Sequence, residues 1–150
     1  MKKFLSVLVF ILSFVACKKE KTVDQVAVDE EIITKYISNN KLNATATGSG
    51  LYYVIQTQGS GVQPTVNSTV KVNYKGYLTD GSVFDYSKSG GYSTLLTQVI
   101  QGWQEGIPYF KKGGKGILLI PSRLGYGAQG AGTIPPNSVL IFDIELLDVN

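Results

Sequence analysis

Apolar and polar side chains alternate with period two at two places in this chain. Val70, Val72 and Tyr74 alternate with Lys71, Asn73 and Lys75. Leu140, Phe142, Ile144 and Leu146 alternate with Ile141, Asp143 and Glu145. Successive side chains of a strand point to opposite faces, so both stretches predict half-buried β-strands. Leu51–Thr57 is β-prone and ends at Gly59-Ser60-Gly61, and Gly116–Ile120 is a short apolar run between glycines and Pro121. Asp80-Gly81 is a hairpin-turn signal, with Ser82-Val83-Phe84 leading out of it.

Upstream the period changes. Asp29-Glu30-Glu31 precedes Ile32, Ile33, Tyr36 and Ile37, and apolar spacings of three and four predict a short amphipathic helix from about Asp29 to Asn39. Acidic residues favour its N-terminal end, and Asn39-Asn40 suggests its stop. Thr45–Gly50 is small and polar and reads as a linker. One further helix is predicted around Gly102–Phe110, limited by Pro108, which is comfortable only in a first turn. Together these elements predict an α+β fold: a twisted antiparallel sheet around one short helix, preceded by a short N-terminal helix.

The first residues follow a different logic. Met1-Lys2-Lys3 is basic, and Phe4–Ala16 is an uncharged apolar run. At about 1.5 Å per helical residue the run reaches roughly 20 Å, short of a hydrocarbon core of about 30 Å. A secretory signal peptide over residues 1–16 fits better than a transmembrane span. Cys17, the only cysteine, follows directly in Phe14-Val15-Ala16-Cys17. This resembles a bacterial lipobox, with Phe14 in place of the usual Leu, and implies lipidation of Cys17 and attachment to a membrane. Residues 17–50 are then a tether and short helix, and 51–150 form the main domain.

Composition narrows the chemistry. The 150 residues are 43% hydrophobic and 17% charged, enough to bury a core. There is no histidine, which excludes a Ser-His-Asp triad and His-ligated zinc or haem. A single cysteine excludes an internal disulfide and a redox pair. Eleven acidic residues remain, so any catalysis is carboxylate-based or needs no proton transfer. The formal charge of +3 is too small to argue for nucleic acid, and Lys2 and Lys3 in the leader contribute to it.

Several weaker motifs have plain explanations. Asn43-Ala44-Thr45 and Asn67-Ser68-Thr69 match a glycosylation sequon, which a bacterial lipobox makes irrelevant. Gly113-Gly114-Lys115-Gly116 lacks the spacing and the hydroxyl of a phosphate loop and reads as a turn. Asp143, Glu145 and Asp148 could suggest a metal site, but the first two lie on the outward face of a strand and read as solvated charges. No metal or cofactor is expected.

Single aromatics on apolar faces are usually core. Here their surroundings form an ordered set: Val72-Asn73-Tyr74-Lys75-Gly76, Asp80-Gly81-Ser82-Val83-Phe84-Asp85, Val99-Ile100-Gln101-Gly102-Trp103, Gly125-Tyr126-Gly127, Ile134-Pro135-Pro136 and Leu140-Ile141-Phe142-Asp143-Ile144-Glu145-Leu146. In this order, from about Leu51 to Val149, they closely resemble the FKBP-type peptidyl-prolyl cis-trans isomerases. The resemblance implies a sheet wrapped around a short helix and a proline-binding pocket. Carried over by position, Tyr74, Phe84, Asp85, Trp103, Tyr126 and Phe142 would act in catalysis. Val99, Ile100, Ile134 and Tyr92 would bind substrate. Trp103 would form the floor, and the Tyr126 hydroxyl and the Ile100 N–H would bond substrate carbonyls. Two rim segments differ from the family pattern: Tyr92–Gln98 and the loop from Tyr126 to Pro135 are both short.

The implied activity suits a chain without histidine. Rotation about an X–Pro bond crosses a barrier of about 18–20 kcal/mol and makes or breaks no bond. The resemblance implies proline-containing segments of unfolded or exported proteins as partners. A tethered peptide-binding chaperone module with little turnover is the alternative. A monomer is expected. The lipobox places the protein in the cell envelope, the outer membrane facing the periplasm being favoured over the inner membrane or cell surface.

Overall fold

The computed structural model describes residues 23–150, so the expected signal peptide and Cys17 lie outside the described residues. Helix α1 spans Gln25–Asn39 and is followed by β1 (Thr45–Ala46), β2 (Tyr52–Thr57), β3 (Thr69–Tyr77), β4 (Val83–Tyr86) and β5 (Tyr92–Leu95). Helix α2 (Gln101–Gly106), β6 (Lys115–Ile120) and β7 (Leu140–Val149) complete the chain. The strands form one antiparallel sheet in the order β1-β2-β6-β7-β3-β4, with β5 also paired to β3.

The alternation in β7 has the expected result on one face. Leu140, Phe142, Ile144 and Leu146 are buried in the core beneath α2, with Val70, Val72, Leu118 and Ile120. Ile141 is fully buried as well, on the opposite face, with Ile33, Val54, Ile117, Leu119 and Val139. The sheet is therefore covered on both sides, and α1 is the cover of the second face. Burying a side chain such as Ile33 contributes about 1.5–3 kcal/mol, so α1 is held in place by packing as well as by its own backbone bonds.

The N-terminal elements differ in detail from the sequence expectation. Helix α1 begins at Gln25 rather than Asp29, because the Asp24 carboxylate caps it by accepting from the Val26 N–H at 3.1 Å. The acidic trio lies inside the helix, and Asp29 is buried. Part of the expected linker is the short strand β1, which pairs with β2. Strand β5 was not expected from sequence; it pairs with the N-terminal half of β3, Val72 opposite Tyr92. The C-terminal half of β3 pairs with β4, Gly76 opposite Asp85. Between the two short strands Ser87 ties back to β3: its hydroxyl accepts from the Tyr74 N–H at 3.0 Å, and its N–H donates to the Tyr74 carbonyl at 3.0 Å.

Helix α2 lies flat on β6 because two glycines face it. A Cβ on Gly102 would fall 2.5 Å from Ile120 Cγ2, and one on Gly106 2.7 Å from Leu118 Cδ2. Pro108 sits in the 3-10 turn Ile107–Tyr109 that follows. This close approach sets the depth of Trp103, which α2 carries.

Candidate active site

A cleft of about 330 Å³ opens between α2, the β3–β4 end of the sheet and the Tyr126 loop. It is lined by Tyr74, Phe84, Asp85, Tyr92, Gln98, Val99, Ile100, Trp103, Tyr126 and Phe142. Nine of the ten residues expected at the site are thus brought together by elements far apart in sequence. Ile134 is not among them; it is buried in the core and bonded to Ala131 in both directions, at 2.8 and 3.0 Å, beneath the loop. Gln98 lines the cleft and was not anticipated; its only sequence signal is its place directly before Val99-Ile100.

The walls are aromatic and locked edge to face. Trp103 meets Tyr74 at a centroid distance of 5.0 Å and Phe142 at 5.3 Å, with interplanar angles of 83° and 80°. Phe84 meets Phe142 at 5.5 Å and 82°. Tyr74 also meets Tyr92 at 6.0 Å and 70°. Each such pair contributes about 0.5–1.5 kcal/mol beyond its buried area, so the ring positions are fixed before any ligand arrives. Trp103 is 4% exposed, and among the described residues its Nε1 has no hydrogen-bond partner.

Asp85 is the one carboxylate on the lining, and both of its oxygens are engaged. Oδ2 accepts from the Tyr74 hydroxyl at 2.7 Å and Oδ1 from the Tyr86 N–H at 2.9 Å. Burial and the Asp85 bond push the Tyr74 phenol well above its ordinary range. Burial, and then the Asp85 charge, also raise Tyr126. Both phenols are therefore neutral at physiological pH. Two donors on lining residues, the Tyr126 hydroxyl and the Ile100 N–H, have no partner among the described residues. The site offers apolar ring surface and a few neutral donors. It does not offer an activated nucleophile.

The outward acids behave differently. Asp143, Glu145 and Asp148 pair with Lys75, Lys115 and Lys112 at 3.4, 3.0 and 2.6 Å. The Gly113-Gly114 segment is a turn whose Gly113 N–H donates to Leu146.

Residues 61–147, more than half of the chain, match the family model described as FKBP-type peptidyl-prolyl cis-trans isomerase. The chain belongs to this family. It is 43% identical over 142 residues to the FKBP-type peptidyl-prolyl cis-trans isomerase FkpA of Escherichia coli K12, covering 93% of this chain and 52% of that protein. A probable FKBP-type isomerase of Haemophilus influenzae is 53% identical over 107 residues, 69% of this chain and 44% of that one. The chain therefore spans about half the length of these curated relatives. Among solved structures, the crystal structure of FkpA from Escherichia coli superposes with a TM-score of 0.75 at 43% identity, covering 83% of this chain and 61% of that one. A peptidyl-prolyl cis-trans isomerase from Pseudomonas syringae gives the same TM-score at 32% identity and covers 84% of this chain and 93% of its own. The fold seen here, an antiparallel sheet with a short helix packed on one face, is shared with these two solved structures.

Proposed function

We propose that this chain is a peptidyl-prolyl cis-trans isomerase acting on proline-containing segments of unfolded or exported polypeptides. The observation that carries the reading is the cleft itself. Four interlocked rings, Tyr74, Phe84, Trp103 and Phe142, surround a space of about 330 Å³ beside unpartnered donors at Ile100 and Tyr126.

The chemistry follows from what rotation does to the amide. The planar X–Pro amide is polar through resonance, and the twisted amide has lost that resonance and much of the charge separation. A water-poor aromatic pocket tolerates the twisted form better than the planar one, and that difference in binding lowers the barrier. The prolyl ring sits on Trp103. The Ile100 N–H and the Tyr126 hydroxyl hold the flanking carbonyls in a bent pose. Asp85 orients Tyr74, and through it the wall, and transfers no proton. The neutrality of both phenols supports this division of labour.

The test is cis-to-trans conversion of a short X–Pro peptide, which is slow enough without catalyst to follow directly. Acceleration proportional to protein concentration is expected. A rate equal to buffer alone, with the peptide still bound, would sink the isomerase reading and leave a holding module.

We also propose that Cys17 is lipidated and ties a monomeric domain to the cell envelope, on the strength of the apolar run that ends at it. Stable anchoring takes more than one acyl chain, each methylene contributing about 0.8 kcal/mol. Cys17→Ser is expected to move the protein from the detergent phase to the aqueous phase, and a mutant retained with detergent would refute the anchor.

A further inference from the structure

Among the described residues Asp29 is the only buried carboxylate, at 1% exposure. It plays no part in the cleft. Its Oδ2 accepts from both the N–H and the hydroxyl of Ser122, at 2.8 and 2.6 Å, and its Oδ1 accepts from the Gln25 side chain at 2.8 Å. Burying a carboxylate is costly unless hydrogen bonds replace its water, and three donors do so here.

Ser122 is the first residue of the 3-10 turn Ser122–Leu124, which follows β6 and Pro121. The first N–H groups of such a turn have no partner within it. Here a carboxylate from α1 supplies one, acting as a cap from a distant element. The turn ends where the Gly125 N–H donates to the Ser122 carbonyl at 3.0 Å, and the next residue is Tyr126. Ser122 is thus bonded on both sides, to α1 through its donors and to the root of the Tyr126 loop through its acceptor. A second strut runs alongside. The Arg123 guanidinium donates to the Ser49 carbonyl, and the Thr47 and Ser49 hydroxyls each donate to Glu105 of α2 at 2.6 Å.

We propose that Asp29 is a positioning residue for catalysis: by capping the Ser122 turn it fixes where the Tyr126 hydroxyl stands over the cleft. The N-terminal helix is then a working part of the isomerase rather than a spacer. This inference rests on the isomerase reading and deepens it.

The test is a double-mutant cycle on the whole chain. Asp29→Ala strands two buried donors of Ser122 and is expected to lower kcat/KM about two- to tenfold, bounded by the worth of the one hydrogen bond the Tyr126 hydroxyl makes. Asp29→Asn keeps a carbonyl oxygen for Ser122 and is expected to restore most of the rate. In a Tyr126→Phe background Asp29→Ala is expected to cost little more, because its effect passes through the missing hydroxyl. Full additivity of the two losses, or failure of Asp29→Asn to restore activity, would overturn the proposal. If Asp29→Ala does not fold, Ser122→Ala removes one of the two bonds and enters the same cycle. A separate readout keeps the two claims apart. The Tyr126 ring signals in NMR are expected to shift in Asp29→Ala, and unchanged signals would overturn the coupling even if the parent isomerase is active. An inactive parent would overturn the function reading, and the ring signals would still report the brace.

Discussion

Gly76→Ala tests how the cleft is shaped. Gly76 lies on β3 opposite Phe142 of β7 and Asp85 of β4. A Cβ there would stand 2.6 Å from Phe84 Cε2 and 2.7 Å from Phe142 Cε1. Carbon atoms prefer about 3.5–4.0 Å, so one or both rings must retreat by about 1 Å. Phe142 has nowhere to go, being 4% exposed and wedged between Trp103 and Tyr74. Phe84 is only partly buried, so it yields outward and the side wall opens. Overpacking of this kind costs about 1–3 kcal/mol. The stiffer unfolded chain of the alanine variant offsets about 0.4–1 kcal/mol of that. The expected result is a modest fall in stability by urea unfolding, together with a fall in kcat/KM of ten- to a hundredfold by about 1 Å of ring displacement. A variant with kcat/KM within about twofold of the parent would show that ring placement at Phe84 and Phe142 is not what the cleft uses, since that shift should exceed it.

Tyr126→Phe is expected to lower kcat/KM about two- to tenfold, the worth of one hydrogen bond of about 0.5–1.5 kcal/mol, and to leave stability unchanged; equal rates would remove the hydroxyl from the mechanism. Burial first, and then bonds to Asp85 and Asp143, raise the Tyr74 and Tyr77 phenols. Their contribution to stability is complete below the unfolded value near pH 10 and is lost as the pH climbs through the folded ones. Phenolate absorbance should show these two ionising only with alkaline unfolding, and early titration of both would contradict their burial. Glu145 is held low by the Asn73 amide and then by Lys115. Its contribution is present above the unfolded carboxylate value near 4.5 and fades as the pH falls through the folded one. Asn73→Ala should therefore make urea unfolding less sensitive to pH between about 5 and 3, in a window set by ordinary carboxylates.

The strands that bury one face were legible because alternation reports burial directly. In β7 the pattern predicted the Phe142 face, yet Ile141 is buried too. Two-sided burial erases the contrast that alternation depends on, and only the docking of α1 explains it. Tyr92–Leu95 has no strand signature in the sequence because it is short, mixed in polarity and preceded by two glycines. Its strand character comes from pairing with β3, a tertiary contact. By sequence Asp29 suggests a favourable charge near a helix start, whereas in the fold it is a buried acceptor. Sequence spacing carries no sign of a partner at Ser122. The cleft was legible through motif order rather than through any local pattern. Ile134 lies in one of those motifs and still falls behind the lining, in the core.

The split partnering of β3 has a practical consequence. The connection from β4 to β5 is fastened at one peptide unit, where Ser87 meets Tyr74, and beyond it the tip at Lys88–Gly90 is exposed. Gly90 has a φ of +93°, and a Cβ there would meet nothing within 4 Å. Lengthening a flexible loop is cheap, about 0.6 kcal/mol for each doubling. The tip between Asp85 and Tyr92, which both line the cleft, can therefore be treated as an interchangeable part. A segment grafted at this tip would extend from the connection between two strands that carry lining residues, and would leave the β3 ladder beneath it undisturbed.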